Sequence, residues 1–323
     1  MGRDMQRSMA DSTPLREAIR DLAERARPGL PGPLRLEPVA RPPGKVLADS
    51  SLPFIVRSGP GAMAAFALAS PAAAPAAVAE AVAQAVRLRR ALGDDLGQHV
   101  LVPLAESEHE GRAIAVYPVC RALAESRWAW RAQRAPVIHW ALGWLRGVAR
   151  ATAHAPAPGA ELELGFLRPL EALAGAAELD GEVRSAARAA ARRVEGGAWK
   201  PVHVAMHGDF WKGNVLVRRR PRTLLGLVPA PRDLVVIDWA TSLADGYALF
   251  DLVRMADSVN LSRRALRREV LAHCRILGCA PDDARGHVLA ALGRRRLGLG
   301  RFPVERFAHM ARTVLALVQA ALP

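Results

Sequence analysis

Lysine is nearly missing from this chain. Of 45 basic residues only Lys45, Lys200 and Lys212 are lysine; the rest are arginine. Aromatic residues make up 5% of the 323, and cysteine occurs three times, at Cys120, Cys274 and Cys279. An odd thiol count without metal-ligand spacing argues against a disulfide framework and a cysteine zinc cage. It fits small core hydrophobes in a reduced cytoplasm. Met1 to Ala10 is charged and has no apolar run, so no signal peptide is read there. Gly2 is followed by Gln6, not by the Ser or Thr that myristoylation prefers at that position. The charge-free stretch Ser58 to Ala79 holds three prolines and is mostly Ala and Gly, which is not the composition of a membrane span. We therefore expect a cytoplasmic protein with no membrane span.

What is present is alanine, arginine and a hydrophobic share of 51%, enough for a large core of close-packed helices. The net charge is +14. Its arginines are scattered beside alanine, with clusters at Arg218–Arg219–Arg220, Arg263–Arg264, Arg267–Arg268 and Arg294–Arg295–Arg296. None of these is interleaved with stacking aromatics, so weak polyanion attraction is expected and a dedicated nucleic-acid partner is not.

The pattern along the chain divides near its first third. Thr13 and Pro14 open a helix that runs to about Arg25. Strands follow between Leu34 and Ser58, the clearest being Phe54-Ile55-Val56-Arg57, with another from Met63 to Ser70. Ala76 to Leu92 reads as one long helix; Val100–Val102 and Ala113–Tyr117 read as strands. From about Pro136 the period turns helical, first over Val137 to His154, then Glu182 to Val194, and again from Tyr247 to the end. This is an α+β order: a strand-rich half with one long helix, then a mainly helical half.

Two strings carry the chemistry. Val204-Ala205-Met206-His207-Gly208-Asp209-Phe210-Trp211-Lys212-Gly213-Asn214-Val215-Leu216-Val217 is followed by Leu234-Val235-Val236-Ile237-Asp238-Trp239. Asp209 and Asn214 lie five positions apart on one loop, and Asp238 ends an apolar run where an unpaired carboxylate is costly. Two carboxylates and an amide converging on one point suit Mg²⁺ on a nucleoside triphosphate, with a hydroxyl oriented toward the terminal phosphorus. His203 and His207 alternate with apolar residues, so they lie on a strand about 13 Å apart and cannot share one zinc ion.

The strings resemble the aminoglycoside phosphotransferase and choline kinase family, whose His-Gly-Asp-x-x-x-x-Asn loop and later Ile-Asp-Trp match His207, Gly208, Asp209, Asn214, Ile237, Asp238 and Trp239. The resemblance implies a bilobal protein-kinase-like fold, with a nucleotide-binding lobe over 1–118 and a catalytic and substrate lobe over 119–323. It implies ATP or GTP with Mg²⁺, and a small-molecule hydroxyl as acceptor. Asp209 would be the base, Asn214 and Asp238 the metal ligands, and His207 and Asp251 structural supports. Lys212, where the family often has Pro, would reach the transferring phosphate or lie solvated. The hinge would fall at Pro118-Val119-Cys120, placing Tyr117 and Val119 against the nucleobase.

The first half matches less well. Such a site normally has a lysine on the third strand, held by a glutamate on the long helix. Here Lys45 is the one lysine before residue 200, so either Arg57 or Lys45 would take that place, with Glu80, or Gln84 by spacing, as partner. Gly59-Pro60-Gly61 is only a fragment of a phosphate loop. A pseudokinase-like binding or scaffold protein is therefore the alternative to a working kinase. The arginine-rich helices after Asp251 disfavour a polycationic aminoglycoside and leave a sugar, an anionic metabolite or a lipid-linked alcohol as acceptor.

Overall fold

A computed structural model describes residues 13–39, 51–59, 62–218, 228–300 and 302–322. Lys45, Pro60, Gly61, Arg219 and Arg220 lie outside them. Helix α1 (Thr13–Ala26) is amphipathic, and buries Leu15, Ile19, Leu22 and Ala23. It lies on an antiparallel sheet of order β1-β2-β3-β5-β4, formed by β1 (Arg35–Pro38), β2 (Leu52–Ser58), β3 (Ala62–Ala69), β4 (Ala105–His109) and β5 (Arg112–Tyr117). β2 alternates strictly: Leu52, Phe54 and Val56 are buried in the core shared with α1, and Pro53, Ile55 and Arg57 turn to the other face. Helix α2 (Ala77–Ala91) covers part of that second face, packing Val78 and Val82 against Ala115.

Alpha-helical structure then dominates. Helices α3 (Gly93–Gly97), α4 (Arg127–Thr152), α5 (Arg168–Ala174) and α6 (Gly181–Glu195) precede the active loop. Helices α7 (Phe250–Ser258), α8 (Arg263–Leu277), α9 (Pro281–Leu297) and α10 (Val304–Ala321) follow it. Their core is continuous and contains the fully buried Phe166, Phe210, Phe250 and Phe307. Two small sheets are set into it: β6 (Arg121–Ala122) pairs with β8 (Val215–Val217) and β8 with β9 (Leu234–Val236), while β7 (His203–Met206) pairs with β10 (Leu243–Tyr247). The architecture is the expected bilobal α+β one.

The lobes share α2. Its second half, through Ala85 and Leu88 and on to Leu92, belongs to the large helical core. Beyond it the Leu96 carbonyl accepts the Trp144 indole N–H at 3.1 Å. His99 O accepts the Val236 N–H at 2.7 Å, and Leu101 N–H donates back to Val236 O at 3.0 Å.

Three sequence expectations change. Val100–Val102 is not a strand but an isolated parallel bridge from Val100 to Val236. β4 is a strand the sequence hides, because Ala-Glu-Ser-Glu-His has no apolar alternation and pairs only through β5. Helix α4 begins at Arg127, nine residues before Pro136. Ser126 Oγ caps it by accepting the Ala129 N–H, and the proline is carried inside the helix. Among the described residues no helix is long and apolar enough to cross a membrane.

Candidate active site

The loop after β7 is held by its backbone. Asp251, at the start of α7 and 6% exposed, accepts the His207 N–H at 2.6 Å on Oδ2 and the Gly208 N–H at 3.0 Å on Oδ1. Burial raises its pKa; His207 and the backbone donors of His207, Gly208 and Phe210 pull it back. His207 Nδ1 accepts the Asp209 N–H at 3.2 Å, which leaves Nε2 to donate to Ile237 O at 2.8 Å and fixes the tautomer. That imidazole ties the loop to the segment ending β9. Gly208 has φ +83°, and a Cβ there would stand 2.5 Å from the Thr241 carbonyl oxygen. Only glycine fits such an approach in the left-handed region.

Asn214 and Asp238 come together through the β8–β9 pair. Val215 faces Val236, and Ile237 N–H donates to Asn214 O at 3.0 Å, so the two side chains emerge side by side. Asn214 Nδ2 donates to Asp209 O at 2.9 Å, leaving its amide oxygen for other partners. Asp238 sits at φ +67°, unusual for a residue with a Cβ, and directly after Ile237. Both line a cavity of about 710 Å³ between the sheet and the helical lobe.

The rest of that cavity is apolar. Phe66 and Leu68 of β3, Val78 and Ala81 of α2, and Leu216 of β8 are among its walls. Among its described lining residues Asp238 alone carries a charge. Tyr117 and Pro118 also line it, and burial, with Glu106 and Asp238 nearby, raises the Tyr117 pKa. Val119 is half-buried beside them, and among the described residues its N–H and C=O have no backbone partner.

The phosphate-gripping pair expected from sequence is not assembled there. Arg57 lies on the second strand, not the third, and its Nε donates to Glu37 Oε2 of β1 at 2.7 Å. β3 is the third strand and has no charged residue. Glu80 is on the exposed side of α2, and the residues that α2 turns to the cavity are alanines and Val78. Lys45 lies outside the described residues. Lys212 lies on the active loop with its Nζ 4.3 Å above the Trp130 ring, a cation–π contact rather than a solvated position. Its N–H donates to Ser258 Oγ of α7 at 3.0 Å.

Two arginines escaped the sequence reading. Arg254 of α7 donates from Nη2 to Asp209 Oδ1 at 3.0 Å; the two side chains are 24% and 30% exposed. Arg295 of α9 donates from Nη1 to Gly208 O at 2.9 Å and stacks over Phe302 at 5.2 Å. Arg254 stands three residues after Asp251, one helical turn on, which is the one signal that could have found it. Arg295 had none beyond its place in a run of three.

The GDP complex of wild-type aminoglycoside 2'-phosphotransferase-IIIa superposes on this chain with a TM-score of 0.51 at 11% identity, over 94% of this chain and 99% of that one. The chain has that fold. A glucosamine kinase superposes at 0.41 with 17% identity, over 96% and 100% of the two chains. An aminoglycoside-3'-phosphotransferase of type VIII superposes at 0.36 with 20% identity, over 93% and 98%. No family model matches the chain, and no curated protein matches it.

Proposed function

We propose that the protein is a small-molecule phosphotransferase that uses ATP or GTP with Mg²⁺ and acts on a hydroxyl. The observation that carries this reading is the pairing of Asn214 and Asp238 at the wall of an apolar interlobe cavity, with Asn214 on the loop that also presents Asp209. The fold shared with a GDP-bound phosphotransferase supports it.

The donor set fits the metal. Among the described residues no group of three or more His, Cys, Asp or Glu converges, which disfavours a protein-only cage. Mg²⁺ takes oxygen ligands, keeps several waters, and is usually held by one or two carboxylates plus substrate phosphates. Asp238 and the Asn214 amide oxygen supply that contribution. Bound there, the ion would neutralise charge on the β- and γ-phosphates. The apolar slot between Phe66, Leu68 and Leu216 suits a purine, with Tyr117, Pro118 and Cys120 of the interlobe connection along its wall.

Asp209 does the positioning. Its Oδ1 is taken by Arg254, and among the described residues Oδ2 accepts no hydrogen bond. That oxygen is the one to accept the acceptor hydroxyl. As the hydroxyl oxygen bonds to the terminal phosphorus, the bond from that phosphorus to the nucleoside diphosphate breaks, and the proton passes to Asp209. Most of the gain comes from orientation, since the loose transition state needs little early proton removal.

One observation favours a second reading. With no cation on β3 and Glu80 facing out, the described cleft grips no α- or β-phosphate, as in a nucleotide-binding scaffold with little transfer. Thermal shift with Mg-ATP and Mg-GTP, then turnover over a panel of hydroxyl metabolites, decides between them. The kinase reading expects a nucleotide shift and turnover that Asp209→Ala lowers by orders of magnitude while the shift persists. A shift without any turnover supports the scaffold, and no shift with either nucleotide sinks both.

A further inference from the structure

We propose that the acceptor carries its own negative charge, a carboxylate or phosphate, and that Arg254 and Arg295 bind it beside the phosphorylated hydroxyl. The inference rests on the phosphotransferase reading and narrows its substrate class.

Three observations support it. First, two guanidinium groups flank one residue step, Gly208–Asp209, of the active loop. A guanidinium has five N–H donors. Of their ten, two are engaged by protein acceptors among the described residues, one to Asp209 Oδ1 and one to Gly208 O. Arg254 Nε is buried and has no hydrogen-bond partner among the described residues. Second, the local charge is unfinished. Arg295 is drawn toward Asp209 and Asp251 and repelled by Arg254, and burial, the largest effect, lowers its pKa. Asp251 is already occupied by the loop's backbone N–H groups. Asp209 is left to offset both cations, and it must also receive the substrate hydroxyl. A substrate anion removes that conflict. Third, the arginines are pre-positioned. Arg295 is braced on Phe302, and Arg254 is fixed by the same short helix that anchors the loop. Little side-chain entropy is then lost when they bind an anion, and planar guanidinium groups match carboxylate and phosphate in two-point contact.

The arrangement has a second consequence. An anion on Arg254 draws the guanidinium charge partly away from Asp209, so acceptor binding makes the base a stronger acceptor. A neutral alcohol leaves Asp209 neutralised by Arg254. Discrimination then appears in turnover as well as in binding.

The test uses the full chain and three probes on one three-carbon skeleton: D-glycerate, glycerol 3-phosphate and glycerol. Thermal shift and calorimetric titration are run at constant ionic strength on the wild type, Arg254→Gln and Arg295→Gln, and Mg-ATP is titrated separately on each. We expect one or both anionic probes to bind the wild type and glycerol not to. Each substitution should weaken anion binding at least tenfold and leave the Mg-ATP shift in place. A carboxylate site and a phosphate site are told apart by which probe binds. Failure of both anions on the wild type overturns the proposal, as does anion binding that survives in both variants, since the ligand then sits elsewhere on this basic surface. Absence of a shift with both Mg-ATP and Mg-GTP in the wild type overturns the phosphotransferase reading instead, whatever the anions do. Should either glutamine variant fail to fold, Arg254→Lys and Arg295→Lys replace it. They keep the charge and lose two-point geometry, and an unchanged affinity for both anions in these variants also counts against the site.

Discussion

Removing the Asp251 carboxylate is the sharpest test of how the active loop is held. Asp251→Ala leaves the N–H groups of His207 and Gly208, now bonded at 2.6 and 3.0 Å, with no acceptor in a dry site. Each buried orphan donor costs about 1–3 kcal/mol, so about 2–6 kcal/mol is at stake. Part of this is returned, because the substitution also removes a carboxylate that burial destabilises. A net loss of about 2–4 kcal/mol follows. Asp251→Asn keeps one oxygen acceptor and points an amide N–H₂ at the other donor, so it should fall between wild type and Ala. Urea unfolding gives the global loss. Amide hydrogen exchange at His207 and Gly208 tells whether the loop opens first, as a tether predicts. If Asp251→Ala unfolds at the wild-type midpoint and both amides stay protected, the tether argument is wrong.

Gly208→Ala forces a Cβ to within 2.5 Å of the Thr241 carbonyl at φ +83°. The left-handed strain alone is about 1–2 kcal/mol, so the melting temperature should drop by several degrees, and any turnover should fall by about a hundredfold as Asp209 moves. His287 is buried, neither ring nitrogen has a hydrogen-bond partner among the described residues, and burial, with His203 nearby, holds its pKa down at about 3. The unfolded chain takes up this proton below about pH 6.5 and the folded one does not. Stability should therefore fall by about 1.4 kcal/mol per pH unit from 6.5 downward until pH nears 3. His287→Phe should be at least as stable at pH 7 and lose that part of the acid slope, measured as the wild type minus variant difference between pH 6.5 and 5. Asp238→Asn should remove the Mg²⁺-dependent part of any nucleotide-induced thermal shift and spare the metal-free part; an unchanged Mg²⁺ dependence would place the ion elsewhere.

The geometry of the Gly208 loop was legible because its signals are local. A tight glycine loop between two apolar strands constrains its own geometry and so places His207, Asp209 and Asn214, while the pairing of β8 with β9 brings Asp238 beside Asn214. Helix α2 was read to within a residue or so at each end, since Ala76 to Leu92 carries a clear helical period. The nucleotide-side residues do not follow from local pattern, because strand order is set by pairing: the sequence offers Arg57 for a third-strand place, and pairing puts it on the second, where its Nε donates to Glu37 of β1. Pro136 hid the first turns of α4, because a proline reads as a start when a capped helix has in fact begun earlier. Arg254 and Arg295 were invisible for a compositional reason. Where nearly every basic residue is arginine, no single one stands out until packing brings it against a carboxylate.

The way α2 straddles the two cores limits how the cleft can breathe. The short connection at Pro118–Cys120 is not an isolated pivot, because Ala85, Leu88 and Leu92 are cemented into the helical body and the Leu96 carbonyl is pinned by an indole. A jaw-like swing of the whole upper half would have to tear that packing. A ligand filling the slot would then meet a spacing between Tyr117 and Asp238 that this packing has already set.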